Sequence, residues 1–192
     1  MPDAKLDPKR TALVTIDLQK GILSAGLTPH LGPDVVARSI AIGQKLRKAG
    51  GLIVAVRVIL APDDADWPQG LTDASEASSP EEYPADWGDP APELGVLLPD
   101  IQIIKRQWSA FYGTELDLQL RRRGIDTIIL CGVSTNFGIE STARDGWAGS
   151  YNILIAEDAS SSYSEGFHDF AVRNILPRIA RIRSSADILA LI

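Results

Sequence analysis

The chain has a single cysteine, Cys131, and only two histidines, His30 and His168, among 192 residues. One thiol excludes an internal disulfide, and two histidines so far apart give no Cys/His zinc motif of recognisable spacing. No metal ligand and no cofactor site is therefore read from the sequence. No apolar run approaches the roughly 20 residues that span a bilayer, and the opening "MPDAKLDPKR" lacks the apolar stretch of a secretion signal. The expectation is a cytoplasmic protein with no membrane contact. Basic residues are missing altogether between Leu60 and Asp100, where eleven acidic residues stand uncompensated. The net charge of −6 speaks against nucleic acid as a partner. The rest of the chain carries nineteen basic and fourteen acidic residues, so most of the acidity sits in one segment.

What is present reads as alternating strands and helices. "TALVTIDLQ" (11–19), "LIVAVRVIL" (52–60), "IQIIKR" (101–106), "DTIILCG" (126–132) and "YNILIAED" (151–158) are apolar, β-branched runs of strand length, and "RIARIRS" (178–184) is a sixth strand. Helical spacing appears over 33–50, with Val35, Val36, Ile42 and Leu46 on one face and Gly50 as a stop. It appears again over 114–124, 135–147, 165–176 and 185–192. Continuous rather than alternating apolar strands imply a parallel sheet covered on both faces. The expected fold is a three-layer α/β/α domain spanning 1–192, doubly wound and Rossmann-like, with a mostly parallel six-stranded sheet.

Residues 61–99 break the pattern with seven prolines and few aliphatic residues. A loop of that length inside a compact domain is functional or disordered. Trp67, Tyr83 and Trp87 favour an ordered flap over 60–100 that covers a site or makes a subunit contact.

In open α/β sheets, ligands bind beyond the carboxyl ends of the strands. Three features lie there. Asp17 ends the first strand, Lys105 ends the third, and residues 133–138 lead from the fourth strand into its helix. A carboxylate, an ammonium and a run of helix-terminal N–H groups can bind and polarise an anion or a carbonyl. Cys131 lies inside an apolar strand, where a thiol behaves as a small hydrophobe. Glu140 and Arg144 are an i, i+4 pair, Asp158 reads as a structural residue holding the turn after the fourth strand, and His30 and His168 read as surface or packing residues.

"VTIDLQKGIL", "IIKRQWSAFYGTELDLQLRRRGIDTIILCGVSTNFGIESTARDG" and "IAEDASSS" resemble the isochorismatase-like hydrolases, also called the cysteine hydrolase superfamily. The resemblance runs from about residue 11 to 183 through D-x-Q, K-x-x-x-S-A-F and G-V-S-T-N-x-x-x-E-S-T-A-R-D. It implies catalytic roles for Asp17 and Lys105, and it places Gly138 where the cysteine branch has its nucleophile. It further implies a cis peptide at Val133–Ser134, which turns the N–H groups of Ser134 and Gly138 toward a bound oxyanion, and it implies a homo-oligomer, dimer or tetramer.

Glycine at 138 closes the covalent acyl-enzyme route. "RVILAPDDADWPQG" (57–70) has no histidine, which weakens the metal-dependent nicotinamidase pattern of the same superfamily. Isochorismatases proper also resemble this chain in carrying glycine there, and cleave a vinyl ether with an aspartic acid as proton donor. Their elbow is G-V-Y-A-H-x-G, whereas this chain has "GVSTNFG", so isochorismate itself is a poor match. Two readings stand. One is a hydrolase of a small carboxylated, amide or vinyl-ether substrate that acts without a cysteine through Asp17, Lys105 and backbone N–H groups. The other is a non-catalytic member that binds a small molecule or partner protein in the same cleft.

Overall fold

Strand β1 (Thr11–Ile16) is buried at every residue, because it is the central strand of a sheet covered on both sides. The structure is a computed structural model and describes residues 5–61, 63, 65–73 and 83–192. Strand order is β3-β2-β1-β4-β5-β6, built from β2 (Leu52–Val58), β3 (Ile101–Lys105), β4 (Thr127–Val133), β5 (Asn152–Ser161) and β6 (Arg181–Arg183). All five pairings are parallel. The chain winds outward from β1 through β2 to β3, then returns to lay β4 on the other side of β1. In open sheets of this kind, ligands bind where the strand order reverses, here at the carboxyl ends of β1 and β4.

Side-chain alternation along the strands sorts the core into two layers. Ala12, Val14, Ile16, Val54, Ile103, Ile128 and Leu130 face helices α3 (Leu116–Arg122) and α4 (Glu140–Ala148) through Leu116, Leu120 and Ala143. Leu13, Ile53, Ile129, Cys131 and Leu154 face α2 (Gly32–Lys48) and α6 (Ser185–Leu191) through Ile42, Leu46 and Ile188. A short helix, α1 (Lys20–Leu23), follows β1, and α5 (Glu165–Phe170) follows β5. The run expected as one helix over 165–176 is instead three pieces: α5, a π turn Ala171–Ile175 and a 3-10 turn Leu176–Arg178. Pro177 has no N–H to continue the ladder and clashes with the preceding turn, so an α-helix cannot run through it.

The acidic segment is fastened to the chain beside β1 and β3. Ala91 N–H donates to Leu18 O (3.0 Å), Lys20 N–H to Asp89 O (2.8 Å) and Gly21 N–H to Trp87 O (2.9 Å). Lys20 Nζ reaches Asp86 (2.9 Å) and Asp89 (3.5 Å), Arg106 pairs with Asp66, and Arg47 with Asp100. Tyr83 stacks on Trp87 at 4.5 Å, and a 3-10 turn Pro92–Val96 delivers Leu94 and Leu97 to the α2 layer. Pro62 and Pro80, with Asp64, Glu76, Glu81 and Glu82, lie outside the described residues.

Candidate active site

Asp17 follows β1 directly and holds φ at +51°, a left-handed conformation that aspartate tolerates better than most residues. Its N–H still pairs with Val56 O (3.0 Å), which fixes the turn to β2. Gln19, two residues on, is fully buried and clamps the end of β2 by both amide atoms, at 3.1 Å to Val58 O and 3.1 Å from Val58 N. The D-x-Q motif thus sets the carboxylate and locks its neighbouring strand.

Lys105 ends β3, which lies two strand spacings, or ~9–10 Å, from β1. Its long stem crosses the end of β2 and brings Nζ to 2.7 Å from Asp17 Oδ2. Both side chains are nearly sealed from solvent, Lys105 at 3% and Asp17 at 7% exposure. The ammonium also donates to Gln107 O at 3.1 Å, which leaves one of its three hydrogens over among the described residues. Burial pushes the Asp17 carboxyl above its ordinary range, and Lys105 opposes that rise. The second oxygen, Asp17 Oδ1, is buried and has no hydrogen-bond partner among the described residues.

The elbow after β4 meets this pair. Gly132 has φ +122°, and a Cβ there would stand 2.0 Å from Ile16 O, so only glycine lets β4 pass β1 so closely. The Val133–Ser134 peptide is cis, as the resemblance implies. A π turn, Thr135–Ile139, then runs into α4. A Cβ at Gly138 would stand 3.4 Å from Asp17 Oδ2, 2.9 Å from Ile16 Cγ2 and 3.6 Å from Trp108 O. Position 138 therefore faces the carboxylate. The Trp108 and Phe137 rings lie 4.8 Å apart beside it, Trp108 about half exposed.

Helix α4 ties the loop after Lys105 to the elbow. Thr142 Oγ1 donates to Gly138 O (2.6 Å) and accepts from Ala110 N–H (3.0 Å), while Ser109 Oγ donates to Asp145 (2.6 Å). The motifs S-A-F and E-S-T-A-R-D are two halves of one contact. Glu140 and Arg144 form the expected i, i+4 pair at 2.8 Å.

Cys131 is fully buried on the opposite, α2 layer, and burial pushes its thiol up to about 12. A cavity of about 130 Å³ lies between β2 and the Pro92–Val96 turn, lined by Thr15, Ile53, Leu94 and Leu97. None of Asp17, Lys105 and Gly138 borders it. The pair is the stronger candidate, because the cavity walls are mainly apolar and their one charged side chain, Arg57, donates to Gly88 O at 2.8 Å.

Two sequence expectations are corrected. Asp158 does not hold the elbow: it accepts from Ser185 N–H (2.6 Å) and Ser185 Oγ (2.7 Å), capping the start of α6, and its carbonyl takes Arg38. His30 and His168 are not separate packing residues. His168 Nε2 lies 3.1 Å, and His30 Nε2 3.3 Å, from one oxygen of Glu157, and the two histidines together hold the Glu157 carboxyl down to about 2, His168 most strongly. The cause is a bulge: Leu130 pairs with Ile155 but Gly132 with Ser160, so residues 156–159 have no partner on β4, and Glu157 and Asp158 stay partly exposed while Ala156 and Ala159 are buried. Sequence reading passed over Glu157, although a charged residue at the carboxyl end of an apolar strand is a signal on this side of such a sheet.

His168 Nδ1 lies 2.8 Å from Thr135 Oγ1, the first residue of the elbow turn. Thr135, His168 and Glu157 thus have the connectivity of a nucleophile, base and acid. Thr135 is fully buried, however, with its hydroxyl held between His168 Nδ1 and Ser161 O (3.0 Å), so it is closed to a substrate.

Comparison with known proteins gives a consistent picture. The isochorismatase domain matches residues 11–187. The isochorismatase family protein YecD of Escherichia coli O157:H7 is 49% identical over 186 residues, 96% of this chain and 97% of the relative. The ureidoacrylate amidohydrolase RutB of Acinetobacter baylyi is 29% identical over 82% of this chain and 74% of its own. Among solved structures, an isochorismatase family protein from Burkholderia thailandensis superposes with a TM-score of 0.90 at 39% identity, covering 98% of this chain and 97% of that one. N-carbamoylsarcosine amidase from Thermoplasma acidophilum does so with a TM-score of 0.70 at 25% identity, over 92% and 96%.

Proposed function

The chain belongs to the isochorismatase family, a family of hydrolases, and from that membership we propose that it cleaves an amide or ureide bond of a small carboxylated molecule by direct attack of water. One observation carries the reading. Asp17 has one oxygen fixed by Lys105 and the other buried with no hydrogen-bond partner among the described residues. A buried anionic oxygen left unpaired costs several kcal/mol in an apolar setting, and a water or substrate N–H at Oδ1 removes that cost.

In this mechanism Asp17 Oδ1 takes a proton from the water as its oxygen adds to the carbonyl carbon. The oxyanion is met by the N–H groups of Ser134 and Gly138 and by the remaining hydrogen of Lys105. Asp17 then passes its proton to the nitrogen as the C–N bond breaks, which returns the carboxylate to its starting state. Glycine at 138 leaves room for a water beside the Asp17 carboxyl group, where a Cβ would stand 3.4 Å from Oδ2, and from that space the water is to be turned onto Oδ1. The named activities of RutB and N-carbamoylsarcosine amidase, both C–N cleavages, support this substrate class.

Vinyl-ether cleavage is the second reading, favoured by the upward push of burial on Asp17. A protonated Oδ1 would donate to the alkene carbon before water adds. A panel of ureides, amides and vinyl ethers decides between them. For ureides or amides, the first turnover with enzyme in excess in ¹⁸O-water should place solvent oxygen in the product, with no mass added to the protein. An acyl adduct on the protein would overturn direct attack. No turnover on any class, with tight binding of its members, would make the protein a binding member of the family.

A further inference from the structure

His30, Glu157 and His168 come from three elements: the loop after α1, the bulge of β5, and α5. Their side chains nevertheless bring three metal-ligating atoms together, all within 4.8 Å of one another. Both imidazole Nε2 atoms address the same oxygen, Glu157 Oε1, at 3.1 and 3.3 Å. His168 is tethered at its other end as well: Nδ1 lies 2.8 Å from Thr135 Oγ1, which in turn lies 3.0 Å from Ser161 O.

A neutral imidazole has one N–H and one lone pair. Thr135 Oγ1 can accept from His168 Nδ1 at 2.8 Å, and in that tautomer Nε2 turns its lone pair toward the space shared with His30 Nε2 and Glu157 Oε1, the form a metal-binding histidine takes.

We propose that His30 Nε2, His168 Nε2 and Glu157 Oε1 bind one divalent transition cation of the zinc type. Two imidazoles and one carboxylate are an established ligand set for such an ion, with a fourth position open to water. Tetrahedral ligands at bond lengths near 2.0–2.1 Å stand about 3.3 Å apart, and the two histidine–glutamate separations meet that spacing. The partial exposure of His30 (23%) and Glu157 (33%) gives the ion a path and places its open position toward solvent. Thr135 supplies the outer hydrogen bond that fixes the tautomer of a metal-binding histidine. Because Thr135 begins the elbow turn, the ion would join that turn to β5, α5 and the loop at His30. This site is separate from Asp17 and Lys105 and does not depend on the reaction assigned to them.

Zinc titration of the chelator-treated full chain by calorimetry, with cobalt as the spectroscopic probe, tests the assignment. One Zn²⁺ per chain is expected, with a cobalt absorption pattern typical of four-coordination. His30→Ala and Glu157→Ala, both at partly exposed positions and so expected to keep the fold, should each weaken binding by a hundredfold or more while circular dichroism stays unchanged. His168→Ala removes a fully packed ring, so the test does not rest on it. No stoichiometric binding, or binding unaltered in both variants, overturns the proposal. So does a ¹⁵N spectrum in which both His168 nitrogens remain protonated in excess Zn²⁺, since that makes His168 the imidazolium of a plain ion pair.

Discussion

Lys105 Nζ lies 2.7 Å from Asp17 Oδ2, across the end of an intervening strand and 88 residues away in sequence. The contact exists because β1 and β3 flank β2 in a parallel sheet, so both residues emerge at the same edge. Neither charge is sustainable alone at that depth. Each makes the other tolerable, and the pair leaves Asp17 Oδ1 free to act.

Removing the cation should expose that dependence. Lys105→Met leaves Asp17 buried with desolvation unopposed, so its carboxyl rises further above the ordinary value of 3.8. A raised acid costs nothing while it is protonated in both states, and destabilises the fold as pH climbs above the unfolded value. The variant should therefore lose about 3–5 kcal/mol at neutral pH and much less near pH 4, as read by urea unfolding at the two pH values. Asp17→Asn combined with Lys105→Met should recover most of the loss. A deficit independent of pH would show that Lys105 matters for packing alone.

How much of this was legible depends on whether a signal is local. The apolar runs of β1, β2 and β4 declare a buried parallel sheet, and Asp17, Lys105 and the elbow each sit at a strand end visible in the sequence. The Glu157 cluster was not legible, because it is made by a bulge and by two histidines 138 residues apart. No periodicity marks a bulge that takes residues 156–159 out of register with β4. The break in the 165–176 helix was visible in principle through Pro177, but the π turn before it has no sequence signature comparable to a cap.

Cys131 should be silent in chemistry and audible in stability. With its thiol pushed up to about 12, roughly one molecule in 10⁴ carries a thiolate at pH 8. Labelling by iodoacetamide should follow global unfolding, and Cys131→Ala should keep full turnover while losing about 1 kcal/mol from the cavity it leaves. Above the ordinary value of 9.0 the unfolded chain gives up this proton and the native one keeps it. The stability gap between native and variant should then shrink between pH 9 and 12, because ionisation penalises only the protein that has the thiol. Rapid native-state labelling with loss of activity would reverse this view.

The acidic segment is expected to cover the crevice, since Lys20 and Arg106 fasten it within three residues of Asp17 and one of Lys105. Lys20→Ala should raise KM severalfold and speed hydrogen exchange around Trp87, with little change in the unfolding midpoint, because exposed ion pairs contribute little to stability. Unchanged KM with faster exchange would make the segment a structural strap or a subunit contact. Light scattering should show a homo-oligomer, and a monomer would remove the subunit-contact reading.

Gly138 offers the most direct test of direct water attack. If the space beside Asp17 holds the water, filling it with a methyl group should stop chemistry without touching either charged residue. Gly138→Ala puts its Cβ 3.4 Å from Asp17 Oδ2, an ordinary contact, and 2.9 Å from Ile16 Cγ2, which must give way by a few tenths of an ångström. Overpacking of that kind costs about 1–3 kcal/mol, so the protein should still fold at 25 °C. Turnover should fall by roughly a hundredfold, the scale on which an ångström of misplacement acts. Gly138→Cys fills the same space but supplies a nucleophile at the start of a helical turn beside a base. It should regain part of the lost turnover, now with an acyl adduct visible by intact mass, and its thiol should label well ahead of Cys131. Asp17→Asn in that background should abolish the gain. Should Gly138→Ala turn over as fast as the native chain, the attacking water does not occupy this space and the mechanism must be sought elsewhere in the crevice.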